Sequence, residues 1–125
     1  MEFKFDNEKP IFIQVKEKLR LYILSGYLKV GEKLPSVREL ALISKVNPNT
    51  IQKALGELEL EKLIYTERTN GKFVTTNKIL IENIRQEFVK NIVDNYFNSM
   101  KEIGIDKKSS IKYLQERSNK NDIRS

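Results

Sequence analysis

Apolar positions recur at helical spacing in three stretches of the chain and as short β-prone runs in a fourth. Ile51, Ala54, Leu55 and Leu58 fall at i, i+3, i+4 and i+7, a stripe that must face a core, with Asn49, Gln52, Lys53 and Gly56 on the opposite side. Phe12, Val15, Leu19, Tyr22 and Ile23 form an earlier stripe, with Pro10 near the first turn and Gly26 suited to a left-handed end, so a helix is expected over Pro10 to Ser25. Leu28 and Leu34, beyond it, read as plugs against the helices. Leu63 to Thr66 and Phe73 to Thr75 are β-prone and joined across Glu67 to Lys72, where Asn70-Gly71 is a strong hairpin signal. From Lys78 to about Ile103 the stripe Ile81, Ile84, Phe88, Ile92, Tyr96 and Ile103 is widened by Val89, Val93, Phe97 and Met100.

Between the first two stripes lie two helix starts in succession. Ser36-Val37-Arg38-Glu39 is a capping box directly after Pro35: Ser36 can accept from the Glu39 amide while the Glu39 carboxylate reaches back. A short helix, about Val37 to Ile43, follows. Asn47 then serves as N-cap and Pro48 as the first helical residue, where a missing N–H costs nothing, and this helix runs to about Leu60. Only Ser44 to Val46 separate the two, which forces the sharp angle of a helix-turn-helix.

Donors suited to base edges or phosphates gather at the N-terminal end of the second helix, whereas Glu57, Glu59 and Glu61 at its far end would repel a phosphate backbone. That polarity suits a helix entering a groove by its N-terminus. The hairpin then reads as a wing, with Arg68 and Lys72 flanking its tip within reach of phosphates or a minor groove.

The segments LPSVRELA, VNPNTIQKAL and LIYTERTNGKFVT together resemble the winged helix-turn-helix domain of GntR-family transcription regulators, over Pro10 to about Thr76. The remainder is similar to the short YtrA-type branch, whose small two-helix C-terminal region serves dimerisation. The resemblance implies a mainly α fold with a small β-hairpin wing: a winged helix-turn-helix domain over residues 1–76 and a helical dimerisation region over 77–125. It implies a sequence-specific DNA-binding regulator, a repressor acting as a homodimer on an inverted-repeat operator, and the likeness to the YtrA-type branch suggests that of an adjacent transporter operon. By the same resemblance Arg38 would contact phosphate or guanine, Asn49, Thr50 and Lys53 would form the reading face, and Asn70, Gly71 and Lys72 the wing tip. Lys33, Ser36, Asn47, Gln52 and Arg68 complete the expected DNA-binding set. Three positions depart from the family pattern. Thr69 stands where Gly is frequent, Ser44 where an apolar residue is usual, and Lys62 replaces a helix-ending Gly, at a cost of about 1 kcal/mol if a left-handed backbone is required there.

Asn77 can cap the long helix and Gly104 end it; Asp106 then caps a shorter one, about 107–117, carrying Ile111 and Leu114. Those two cannot cover the long stripe, so it packs on the winged domain or meets its own copy. A two-fold pairing is the commonest solution, and Ile81, Ile84, Phe88, Ile92, Tyr96 and Met100 are its expected interface. Ser118 to Ser125 is polar and expected to fray.

A chain of 125 residues with 39% hydrophobic composition suits one modest core and a small appendage. The net charge of +6 falls evenly on either side of Lys78, so the informative charges are local ones: Lys33, Arg38, Lys45, Lys53, Arg68 and Lys72, opposed chiefly by Glu39 and Glu67. With no cysteine and no histidine, disulfides, thiol nucleophiles, imidazole bases and the usual zinc sets are excluded, and no cofactor or metal is expected. No carboxylate pair sits among the Gly, Ser or His constellations of catalysis, so an enzyme is not expected. No apolar run reaches the roughly eighteen residues of a membrane span, and the first residues lack a signal-peptide layout, so a cytoplasmic location is expected. A winged helix used only as a protein-protein module is the competing reading; it would keep the same core without needing Asn, Lys and Arg aimed outward together. Nothing in the residues names a small-molecule effector.

Overall fold

A computed structural model describes residues 1–120 of the chain. Its elements in order are α1 (Ile11–Leu24), α2 (Val37–Ser44), α3 (Pro48–Leu60), β1 (Ile64–Glu67), β2 (Gly71–Val74), α4 (Lys78–Glu102) and α5 (Lys107–Lys120). The fold is mainly helical, a winged helix-turn-helix followed by two helices. Residues Met1–Ile84 form one compact unit and Arg85–Ser125 a second. The division falls inside α4, so its first turns belong with the winged unit, whereas the sequence suggested a boundary at Thr76.

In the winged unit α3 is central, packing on α1, α2 and β1. Ile51, Ala54, Leu55 and Leu58 of its apolar stripe are buried, together with Val15, Leu19, Ile23, Leu40, Leu63 and Val74. Each large side chain buried this way stabilises the fold by about 1.5–3 kcal/mol. Leu28 and Leu34 are buried as expected. Phe12 and Phe73 are only half-buried, and Phe73 instead stacks on Tyr65 at 5.6 Å. Outside the apolar stripe, Lys16 and Arg20 of α1 meet the acidic end of α3: Lys16 Nζ lies 2.9 Å from Glu57, and Arg20 Nη2 lies 2.6 Å and 2.7 Å from the two oxygens of Glu61.

Two backbone positions carry strain. Lys62, after α3, sits at φ 65°, so the left-handed conformation that glycine would favour is required there. Lys45 at the end of α2 sits at φ 59°, a demand the sequence pattern did not reveal. The turn of the helix-turn-helix is Lys45 to Asn47, because α2 extends one residue further than expected. Its last residue, Ser44, is buried where an apolar side chain is usual, and its hydroxyl donates to Leu40 O at 2.6 Å.

The strands pair antiparallel, Ile64↔Val74 through Glu67↔Gly71. Both run further toward the tip than expected, leaving Arg68 to Asn70 as the loop. Asn70 N donates to Glu67 O at 3.0 Å and Gly71 takes φ 101°, so the reversal is a three-residue turn closed by glycine rather than a two-residue Asn-Gly turn. On its other edge β2 is bonded to the segment before α2: Val74 N donates to Glu32 O and Leu34 N to Lys72 O, each at 2.8 Å.

In the second unit α4 continues and α5 folds beside it. Gly104 reverses the chain at φ 81°, and Asp106 caps α5 by accepting from Ser109 N at 2.9 Å. Tyr96 Oη donates to Ser110 O at 2.7 Å, and the Ser110 side chain is fully buried. The helix runs to Lys120, so Ser118 to Lys120 are helical rather than frayed; the rest of the expected frayed tail, 121–125, lies outside the described residues. No helix among the described residues is long and apolar enough to cross a membrane.

Candidate nucleic-acid interface

The two helix starts are built as their sequences dictate. Ser36 Oγ accepts from Glu39 N at 3.0 Å while Glu39 Oε1 accepts from Ser36 N at 2.8 Å, closing the capping box. This backbone hydrogen bond, aided by the hydroxyl and the nearby Lys33 charge, holds the Glu39 carboxyl below the usual range. Asn47 Oδ1 accepts from Asn49 N at 2.7 Å, with Pro48 in the first turn of α3. Ser36 and Asn47 therefore serve first as caps. The Asn47 amide NH2 is a donor that its capping role leaves unused, whereas the Ser36 hydroxyl is engaged with Glu39.

The N-terminal turns of α2 and α3 meet across a cleft of about 560 Å3 lined by Val37, Arg38, Ala41, Leu42, Val46 and Pro48. Arg38, Asn49 and Gln52 are exposed on these helices and Thr50 is half-exposed. At the wing tip Arg68, Thr69, Asn70 and Gly71 are all exposed. A cleft of about 400 Å3 separates that tip from the start of α2, lined by Lys33, Ser36, Arg68 and Asn70 with Leu55 among its walls. Lys33 packs so close to Gly71 that a Cβ at position 71 would lie 3.3 Å from Lys33 Cε. The cleft thus has a cation on each bank, which suits a polyanion.

Two expected members stand differently. Lys72 does not flank the tip as a free cation: its Nζ lies 3.0 Å from Glu59 Oε1 and donates to Thr66 Oγ1 at 2.8 Å. The three-residue loop causes this, because it leaves Lys72 opposite Thr66, one rung below the turn. Lys53 is exposed, but its ammonium rests 3.9 Å from the centre of the Phe12 ring on α1. The sequence does not mark Phe12 or Glu59 as functional, because the alternate spacing of Glu57, Glu59 and Glu61 at the end of α3 does not say which acid faces the hairpin.

The residues expected at a dimer surface are divided between the two units. Ile81 is 4% exposed, covered by its own chain because α4 begins within the winged unit, and this removes it from the surface available to a partner. Ile84, Phe88, Tyr96 and Met100 are half-buried. Ile92 is 58% exposed, and Val89 and Val93 beside it are exposed as well. No cluster of acidic side chains suited to a metal ion occurs among the described residues.

Comparison with known proteins gives this surface its context. The family described as "Bacterial regulatory proteins, gntR family" matches residues 13–74. The repressor YtrA of Bacillus subtilis is 39% identical over 94 residues, which span 70% of this chain and 72% of YtrA. The chain belongs to the GntR family. It is a DNA-binding transcriptional regulator of the short-chain type and not an enzyme. A GntR family transcriptional regulator from Listeria monocytogenes has the same architecture, with TM-score 0.84 and 39% identity over 90% of this chain and 98% of that one. The DNA-binding domain of AraR in complex with operator ORX1 is similar at TM-score 0.55 and 29% identity, over 60% of this chain and 99% of that one.

Proposed function

We propose that this GntR-family protein is a cytoplasmic repressor that binds an inverted-repeat operator as a homodimer. The observation that carries the DNA-reading half is a pair of clefts that meet at the start of α2, one reaching the wing tip and the other reaching Pro48 at the start of α3. In this reading Asn49, Thr50 and Gln52 meet base edges in a major groove, where amide side chains pair with adenine and hydroxyls are tolerant. Arg38, Lys33 and the Asn47 amide, with Ser36 beside them, meet the flanking phosphates, and Arg68 and Asn70 approach the adjacent minor groove. Lys53 joins them only by leaving Phe12. Kinship with YtrA, a repressor, and likeness to the operator-bound AraR domain support the reading.

One recognition helix spans only a few base pairs, and discrimination within a genome requires two held at fixed separation. The exposed Val89, Ile92 and Val93 face of α4 supplies an apolar surface for that pairing. The test is a mobility shift on the promoter of the protein's own gene, followed by footprinting. A salt-dependent complex with two protected half-sites about one helical turn apart is expected. Equal affinity for every duplex at physiological salt would leave the protein-interaction module as the better reading.

A further inference from the structure

Backbone hydrogen bonds hold both edges of β2 as far as Lys72, whose carbonyl accepts from Leu34 N at 2.8 Å. At the rung below the tip, Thr66↔Lys72, the tie to α3 is made by side chains alone. Lys72 Nζ reaches Glu59 Oε1 at 3.0 Å and Thr66 Oγ1 at 2.8 Å, while Thr66 Oγ1 lies 3.0 Å from both Glu59 oxygens. Among the described residues no other side-chain hydrogen bond or ion pair joins the hairpin to α3. The Lys72 ammonium, with Thr66 beside it, holds the Glu59 carboxyl below its ordinary range, so the anion is the form present near neutrality.

A half-exposed pair of this kind adds little to global stability. Its consequence is geometric. Glu59 belongs to the last turn of α3, and the first turn of the same rigid helix carries Asn49, Thr50 and Gln52. Two-stranded hairpins are marginal by themselves; here the segment before α2 holds β2, and the Glu59 cluster is what ties this rung to α3. We propose that Glu59 is a positioning residue which, through Thr66 and Lys72, fixes the wing tip relative to the reading turn of α3. Lys72 is then a strut and not a phosphate contact. This deepens the DNA-binding reading above and rests on it.

The experiment first selects a duplex from a random library with the wild-type protein, then compares Glu59→Gln, Lys72→Met, their combination and the exchanged pair Glu59→Lys/Lys72→Glu on it. Failure to select any duplex removes the DNA-reading hypothesis itself, and this inference with it. With a duplex in hand, each single variant should weaken binding by about threefold to tenfold, with thermal stability nearly unchanged. The double variant should be no worse than either single. The exchanged pair should recover most of the loss, and the salt slope should stay at the wild-type value throughout, because no phosphate contact has been removed. In hydroxyl-radical footprints the protection under the wing should fade while the major-groove half-sites stay protected. The inference is overturned if Lys72→Met lowers the salt slope by about one unit and Glu59→Gln tightens binding, the signature of a phosphate-seeking lysine held back by its partner. It is equally overturned if the singles bind as wild type does.

Discussion

The ammonium of Lys53 lies 3.9 Å from the centre of the Phe12 ring, joining the exposed face of α3 to the start of α1. A cation on an aromatic face at an exposed site is worth about 0.5–1 kcal/mol, so the contact holds the lysine without locking it. Lys53→Ala should weaken operator binding and flatten the salt slope by about one unit, if the ammonium moves to a phosphate when DNA arrives. Phe12→Leu should tighten binding slightly by releasing the lysine. Identical salt slopes for wild type and Lys53→Ala would show that Lys53 stays on Phe12 in the complex.

Arg38 is exposed, and the box formed by Ser36 and Glu39 caps α2 without it. Arg38→Ala should therefore leave the thermal midpoint nearly unchanged while weakening DNA binding by about 1–3 kcal/mol, the range for a guanidinium on a base edge. A large fall in midpoint with normal binding by the folded fraction would assign Arg38 to structure.

Lys45 and Lys62 adopt φ 59° and 65°, where a Cβ crowds the backbone. Lys45→Gly and Lys62→Gly should each raise stability by about 0.5–1 kcal/mol in urea unfolding, with unchanged m-values. Lower midpoints for both would mean that the lysine side chains contribute more than the strain removes.

Ile92→Asp places a charge on the most exposed part of the α4 face, where the isolated chain accommodates it in water. Light scattering should show a dimer for wild type at micromolar concentration and a monomer for the variant, with circular dichroism unchanged. A variant that still elutes as a dimer would place the interface elsewhere.

Among the described residues three carboxyls are held below their ordinary range: Glu39 by the Ser36 backbone, Glu59 by Lys72 and Asp106 by the Ser109 backbone. A folded-state pKa depressed in this way gives stability that is present above the unfolded value and lost as pH falls through the folded one. Urea midpoints should accordingly hold at neutral pH and decline below about pH 4.5, and Glu39→Gln should show a shallower decline. A midpoint independent of pH from about 5 to about 3 would contradict this.

Much of this architecture is legible in the chain because its signals are local. Ser36 with Glu39, and Asn47 with Pro48, mark α2 and α3 so strongly that the bounds of α3 were readable to the residue, and Asn77 and Asp106 do nearly as well for α4 and α5. What escaped depends on contacts between elements. Lys72 looked like a wing-tip cation until strand register set it beside Glu59, and Lys53 looked outward until α1 brought Phe12 beneath it. Ile81 shared a stripe with Ile92, but periodicity along a helix cannot say where one packing partner ends and another begins. Lys45 was missed for a backbone reason: a three-residue helical turn demands one positive φ, and with no glycine in it nothing marked the residue that takes the strain.

The crowding of Gly71 against Lys33 divides the wing tip into one constrained position and three permissive ones. Descendants of this chain can exchange Arg68, Thr69 and Asn70 with little harm to the hairpin, whereas a side chain at 71 meets both an unfavourable φ and the lysine stem. Evolution toward a new operator therefore has an open route through the loop, and the glycine beside it acts as the anchor that lets those changes accumulate without loss of the scaffold.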